Sequence, residues 1–162
     1  MKGSPGDATD HPDLPILPPF AYFLPFLAGV ALHHIVGGDR FPGAWLPTTR
    51  LLGWVLIAVG AAINISGWLA FRRAGTPVFP GRPTTAIVTD GPYRFTRNPL
   101  YLSLAIAYLG VGLLLGYFWP LIFFPVAVFL VARFIIPREE QYLERKFGAE
   151  YARYRGSVRR WL

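Results

Sequence analysis

Two polar clusters bracket an apolar stretch of this chain: Gly91-Pro92-Tyr93-Arg94 running into Arg97-Asn98-Pro99-Leu100-Tyr101, and then Glu139-Glu140. The residues between them are almost free of charge, and a bilayer core takes about 20 helical residues to cross. That length allows a helix out, a tight turn at Gly116-Tyr117 and a helix back. The return brings Glu139 and Glu140 to the membrane face that carries Arg94 and Arg97. Acidic, basic and aromatic groups placed beside lipid need partners or a ligand.

Such a pocket suits a small charged cofactor held next to an apolar acceptor. S-adenosylmethionine has the matching charge pattern: carboxylates or aromatic faces stabilise its sulfonium and ammonium, and an arginine or backbone donors take its carboxylate. Methyl transfer needs little covalent help, because an in-line approach held close and shielded from water supplies most of the acceleration. A site for anionic lipid would use similar residues. Spacing alone leaves both open.

The elements that must position these groups follow from composition. Of 162 residues, 53% are hydrophobic, too apolar for a soluble domain of this size. The expected fold is an all-α integral membrane protein with about four transmembrane helices, a cytoplasmic loop and a C-terminal amphipathic helical segment. The spans read 16–36, 51–71, 99–116 and 117–136. Residues 1–15, polar and proline-containing with no signal-peptide pattern, read as a flexible cytoplasmic tail, and 16–162 as one domain.

The net charge of +7 sorts by side rather than pointing to nucleic acid. With four spans, the N-terminus, the 72–98 connection and the C-terminal tail share one face and collect nearly all the basic residues, leaving Arg40 and Arg50 opposite. The positive-inside rule then places both termini and the polar clusters in the cytoplasm, at the cell (inner or plasma) membrane. Fourteen Arg against two Lys suits a GC-rich bacterial genome. With no cysteine, disulfides, thiolate nucleophiles and cysteine metal sites are excluded. No P-loop or Rossmann fingerprint occurs, and the three histidines do not form a metal motif, so no metal is expected.

Within the spans, Gly53, Gly60 and Gly67 recur every seven residues and form a stripe that lets another helix approach closely. Asn64 must point into the bundle, either to bond another helix or to line a substrate cavity. Arg133, about a turn from the end of the fourth span, reads as a buried arginine that wants an anion, from the protein or from an acidic acceptor. The 72–98 connection is broken by Gly75-Thr76-Pro77, Pro80-Gly81 and Pro83, with Ile87-Val88-Thr89 as a short extended piece. Beyond the last span, Arg138 to Phe147 reads as a helix stopped by Gly148. A second short segment and an Arg/Trp-rich tail follow, able to fold back over the clusters.

Taken in order, Gly75-Thr76, Pro80, Pro83, Val88-Thr89-Asp90-Gly91-Pro92-Tyr93-Arg94, Arg97-Asn98-Pro99-Leu100-Tyr101, Glu139-Glu140 with Leu143, Phe147-Gly148, Tyr151, Tyr154, Val158 and Arg160-Trp161 resemble the isoprenylcysteine carboxyl methyltransferase family, over about residues 60–162. The Asn-Pro-x-Tyr form also resembles the related phospholipid N-methyltransferases. The resemblance implies an integral membrane methyltransferase that uses S-adenosylmethionine, yields S-adenosylhomocysteine and takes a lipophilic acceptor from the bilayer. Its cofactor part would be about 75–101 and 133–162. Gly91, Tyr93, Arg97, Asn98, Pro99, Tyr101, Glu139 and Glu140 would bind the cofactor, Asn64 and Arg133 the acceptor, with Arg133 and Asn98 as catalytic candidates. Asn98 replaces the family's usual His and Ser103 its usual Gly. A prenylcysteine-like carboxylate, a phospholipid amine, and a thiol or phenol all remain open as acceptors. A carboxylate would call for a cation such as Arg133 near the methyl; an amine or thiol needs a route for proton loss. Replacing Glu139 or Glu140 by Ala is expected to abolish cofactor binding and spare folding.

Overall fold

The computed structural model describes residues 12–37, 41–78 and 82–162. Most of the expected N-terminal tail, together with Arg40, Pro80 and Gly81, lies outside the described residues. Among the described residues every regular element is helical, as expected for an all-α membrane protein. Three helices are long and apolar enough to cross a membrane, over Pro18–Val36, Gly43–Arg73 and Phe118–Phe147, and Pro99–Leu115 is a shorter apolar helix.

Helix α1 (Pro18–Val36) opens on two prolines and continues through Pro25. The first is well placed, since a proline lacks an N–H that the first turn could not use anyway. Helix α2 (Leu46–Arg73) follows a single 3₁₀ turn at Gly43–Trp45 and starts five residues before the expected 51. Pro47 sits in its first turn, so the Thr48-Thr49-Arg50 segment becomes helical rather than loop. Helix α3 (Pro99–Leu115) ends at Gly116, which is left-handed (φ 68°, ψ 22°) and donates its N–H to Gly112 O and Leu113 O. The expected tight turn at Gly116-Tyr117 is therefore present, and its geometry needs glycine.

The fourth long helix is built in three parts: α4 (Phe118–Leu130), a π-helical turn (Val131–Ile135) and α5 (Ile136–Phe147). Its apolar run ends at Ile136; from Arg138 onward α5 is polar and lies outside the membrane-spanning part. Gly148 (φ 51°) breaks the chain into α6 (Ala149–Ser157), somewhat longer than the short segment expected there. Residues 87–89 are irregular chain leading into a 3₁₀ turn at Gly91–Arg94, not a strand.

Packing follows the small residues. Helix α2 lies along α3 and α1 along α4. Gly53, Gly60 and Gly67 are all buried, and a Cβ on Gly53 would stand 2.7 Å from Gly110 O, one on Gly60 2.9 Å from Ser103 O. The seven-residue stripe thus lets backbone meet backbone. Gly53→Ala should push α2 from α3 and cost about 1–3 kcal/mol as an overpacking substitution, read as a lowered thermal midpoint in detergent; an unchanged midpoint would show that the helices separate freely. The core between α1, α3 and α4 centres on Tyr22, Tyr101, Tyr108, Val131 and Ile135. Its tyrosine hydroxyls are satisfied, Tyr22 donating to Tyr101 O at 3.1 Å and Tyr108 to Pro120 O at 2.7 Å.

Candidate functional site

At the end of the bundle that carries Glu139, the start of α1, the last turns of α2, the 76–98 connection, the start of α3, α5 and α6 enclose a cavity of about 580 Å³. Pockets for small organic ligands run to about 300–1,000 Å³. Its walls differ from end to end. Leu17, Phe20, Trp68, Leu100 and Leu104 make one side apolar, whereas Tyr93, Arg97, Asn98, Tyr101, Glu139, Tyr151 and Tyr154 make the other polar. Leu17, Phe20 and Trp68 are also exposed on the outer surface of the helices, so the apolar side adjoins the lipid.

The C-terminal segment completes the polar side. Arg97 N–H donates to Arg159 O at 2.9 Å, while Thr96 Oγ1 (3.1 Å) and Asn98 Nδ2 (2.9 Å) both donate to Arg160 O. Tyr154 donates to Tyr93 O at 2.9 Å. Arg160 returns its guanidinium to Glu140 (2.5 and 3.2 Å), which also holds Arg97 Nη2 at 3.0 Å. The tail therefore folds back over the clusters, as expected. The 76–88 connection is pinned in turn, with Thr84 N–H on Tyr142 Oη (3.1 Å) and Thr85 N–H on Thr76 Oγ1 (2.9 Å).

The two glutamates have different work. Successive residues of a helix point about 100° apart. Glu140 turns into the arginine clasp and is buried. Glu139 turns to the cavity, accepting a 2.6 Å hydrogen bond from Tyr101 and forming no ion pair with an arginine. Burial, the largest influence, pushes the Glu139 carboxyl up; the Tyr101 bond pulls it back, Glu140 pushes it further, and it stands at about 7. Tyr93 is likewise raised, chiefly by burial.

Of the residues singled out in the sequence, Asn64, Tyr93, Arg97, Asn98, Tyr101, Glu139 and Glu140 meet in this cavity. Three do not. Pro99 is fully buried and begins α3. Gly91 lies at a separate shallow depression with Pro92, Arg94 and Phe95, its φ of 60° serving the 3₁₀ turn. Arg133 corrects the expectation of a buried arginine: it is exposed on the lipid side of the π turn, 5.9 Å from the Phe134 ring, while Val131 and Ile135 take the inward positions. It lies outside the cavity and has no place in acceptor binding or catalysis there. Glu140 is also corrected as to folding, because it neutralises the buried Arg97 rather than standing free.

Trp68, Phe71, Tyr142, Tyr151, Tyr154 and Arg160 were not predicted as site residues. The Tyr151, Tyr154 and Arg160 positions were visible in the family-like pattern, but only the fold shows that the tail's carbonyl groups are its anchors.

Among known proteins, the chain is 44% identical over 63 residues to an uncharacterised protein of Haemophilus influenzae, covering 39% of this chain and all of the relative. It is 38% identical over 72 residues to the protein-S-isoprenylcysteine O-methyltransferase of Schizosaccharomyces pombe, covering 44% of this chain and 30% of that one. To the cobalt-zinc-cadmium resistance protein CzcN of Cupriavidus metallidurans it is 30% identical over 125 residues, covering 74% of this chain and 53% of the relative. The chain thus spans about half or less of the length of the last two. No solved structure matches. The phospholipid methyltransferase family model matches residues 48–150, which run from the start of α2 through both polar clusters into α6, and the chain accordingly belongs to that family of membrane methyltransferases.

Proposed function

We propose that the chain methylates a small lipophilic acceptor with S-adenosylmethionine, in a cavity that faces the cytoplasm. The observation that carries this reading is the two-sided cavity, with a carboxylate and tyrosines at one side and lipid-adjoining apolar walls at the other. The residues fit the cofactor. Glu139, without an arginine partner, and the Tyr93 and Tyr154 rings suit its cationic groups. Arg97 Nε is buried and has no hydrogen-bond partner; such an orphaned donor costs about 1–3 kcal/mol, and a ligand carboxylate would satisfy it. When bound, the cofactor supplies an electrophilic methyl group on sulfur.

The chain's own residues position and shield. The tail and α6 close the polar side from water, and the apolar walls take the acceptor's hydrocarbon part. Arg97 and Arg160 are spent on Glu140, which leaves them poorly placed as an anionic-lipid patch. Asn98, whose amide holds Arg160 O, positions the tail and does not act as a base. The basic composition of the 72–98 and C-terminal segments supports the cytoplasmic orientation.

Calorimetric titration of the purified protein with S-adenosylmethionine and S-adenosylhomocysteine tests the reading; absence of saturable binding to folded protein would overturn it. The pH dependence has a definite sign. A carboxyl raised to about 7 keeps its proton to higher pH, so a cation bound against it must displace that proton. Affinity should fall as pH drops below 7, by at most about tenfold per unit. The same shift makes ionised Glu139 subtract from stability as pH climbs from the usual carboxylate range to 7. The affinity difference between the parent and Glu139→Gln isolates the slope from any titration of the cofactor itself.

A further inference from the structure

Ser103 and Asn64 orient a polar group at the apolar side of the cavity. Ser103, buried on α3, donates its one hydroxyl proton to Leu100 O at 2.7 Å. Towards Asn64 it can therefore act only as an acceptor. That settles which way the Asn64 amide stands: Nδ2 donates to Ser103 Oγ at 2.8 Å, and Oδ1 is turned away. Oδ1 has no hydrogen-bond partner among the described residues and is not sealed off. Asn64 lines the cavity with Trp68, Leu100 and Leu104. A carbonyl oxygen between apolar walls is unfavourable unless a donor meets it.

No free cation stands near it. Arg97 is held by Glu140, Arg82 sits on the exposed connection, and Arg133 faces lipid. The other polar group that faces the cavity without an arginine, Glu139, is again an acceptor. We infer that the acceptor's head group is a hydrogen-bond donor, a hydroxyl, amine or thiol and not a carboxylate or ether, and that Asn64, locked by Ser103, is the residue that selects it. This rests on the reading of the cavity as an acceptor site, and it assigns Ser103 a reason for standing where relatives carry glycine: it orients the amide.

The test reads binding and not turnover. The protein is placed in phosphatidylcholine nanodiscs without cofactor and titrated with dodecanol, dodecylamine, dodecanoate and methyl dodecyl ether. The signal is the part of the tryptophan fluorescence change that Trp68→Phe removes, since Trp68 lines the cavity. Dodecanol and dodecylamine should bind about five- to tenfold more tightly than the ether or dodecanoate, the worth of one hydrogen bond. Asn64→Leu should bring the alcohol down to the ether and leave the ether unchanged. Ser103→Ala, which frees the amide to turn, should cut the preference to about twofold without weakening the ether. Equal affinity of alcohol and ether, or dodecanoate binding as tightly as the alcohol, would overturn the inference while leaving the cavity reading in place. If none of the four changes the Trp68 signal, the acceptor-site reading falls and the inference with it.

Discussion

Glu139→Gln is expected to bind S-adenosylmethionine about a hundredfold more weakly than the parent, ~3 kcal/mol, with its helix content and thermal midpoint unchanged. The size follows from the charge-assisted contact that the substitution removes, roughly 1.5–3 kcal/mol with a buried carboxylate at the upper end. The preserved fold follows from geometry. Gln keeps an oxygen where Glu139 Oε1 accepts the Tyr101 hydroxyl at 2.6 Å, and no arginine loses a partner. Calorimetry gives the affinity and circular dichroism the fold. Parent-like affinity in Glu139→Gln would move the cationic part of the ligand elsewhere in the cavity.

The neighbouring substitution behaves otherwise. Glu140→Ala leaves the Arg97 guanidinium, its side chain 9% exposed, without a countercharge. Breaking a buried pair from one side costs about 3–5 kcal/mol, so this variant should unfold well below the parent. Arg160→Ala removes the half-exposed partner of the same carboxylate and should cost about 1 kcal/mol, because Arg97 still neutralises Glu140 and the Arg160 carbonyl still receives Thr96 and Asn98. Thermal unfolding of the two variants side by side decides the matter. Equal losses would mean that the clasp acts as one unit, and no loss in Glu140→Ala would mean that Arg97 finds another anion.

The contrast between these glutamates also shows what the sequence could and could not disclose. Their nearness to the basic cluster followed from counting apolar residues and from Gly116, whose left-handed turn sends the chain back. The glycine stripe likewise announced the α2–α3 contact. Which glutamate faces the cavity depends on helix rotation, and the π turn at Val131–Ile135 shifts that rotation locally. The same turn puts Arg133 on the lipid side, where a plain count of residues from the span's end had it inside the bundle. The anchors of the tail were hidden for a different reason: Thr96, Arg97 and Asn98 bind backbone carbonyls of Arg159 and Arg160, and a carbonyl leaves no trace in residue type. The Asn64–Ser103 bond joins residues 39 positions apart, and each was noticed singly.

The burial of the Arg97–Glu140 contact sets how the protein responds to ionic strength. At physiological salt the Debye length is about 8 Å, and it shortens as salt rises, but ions screen only charges that solvent can reach. The Arg155–Glu144 pair, with both side chains about half exposed, will dissolve in strong salt; Arg97 and Glu140, at 9% and 10%, will not. Concentrated salt can therefore strip loosely held lipid and peripheral proteins from this molecule while its polar wall stays assembled.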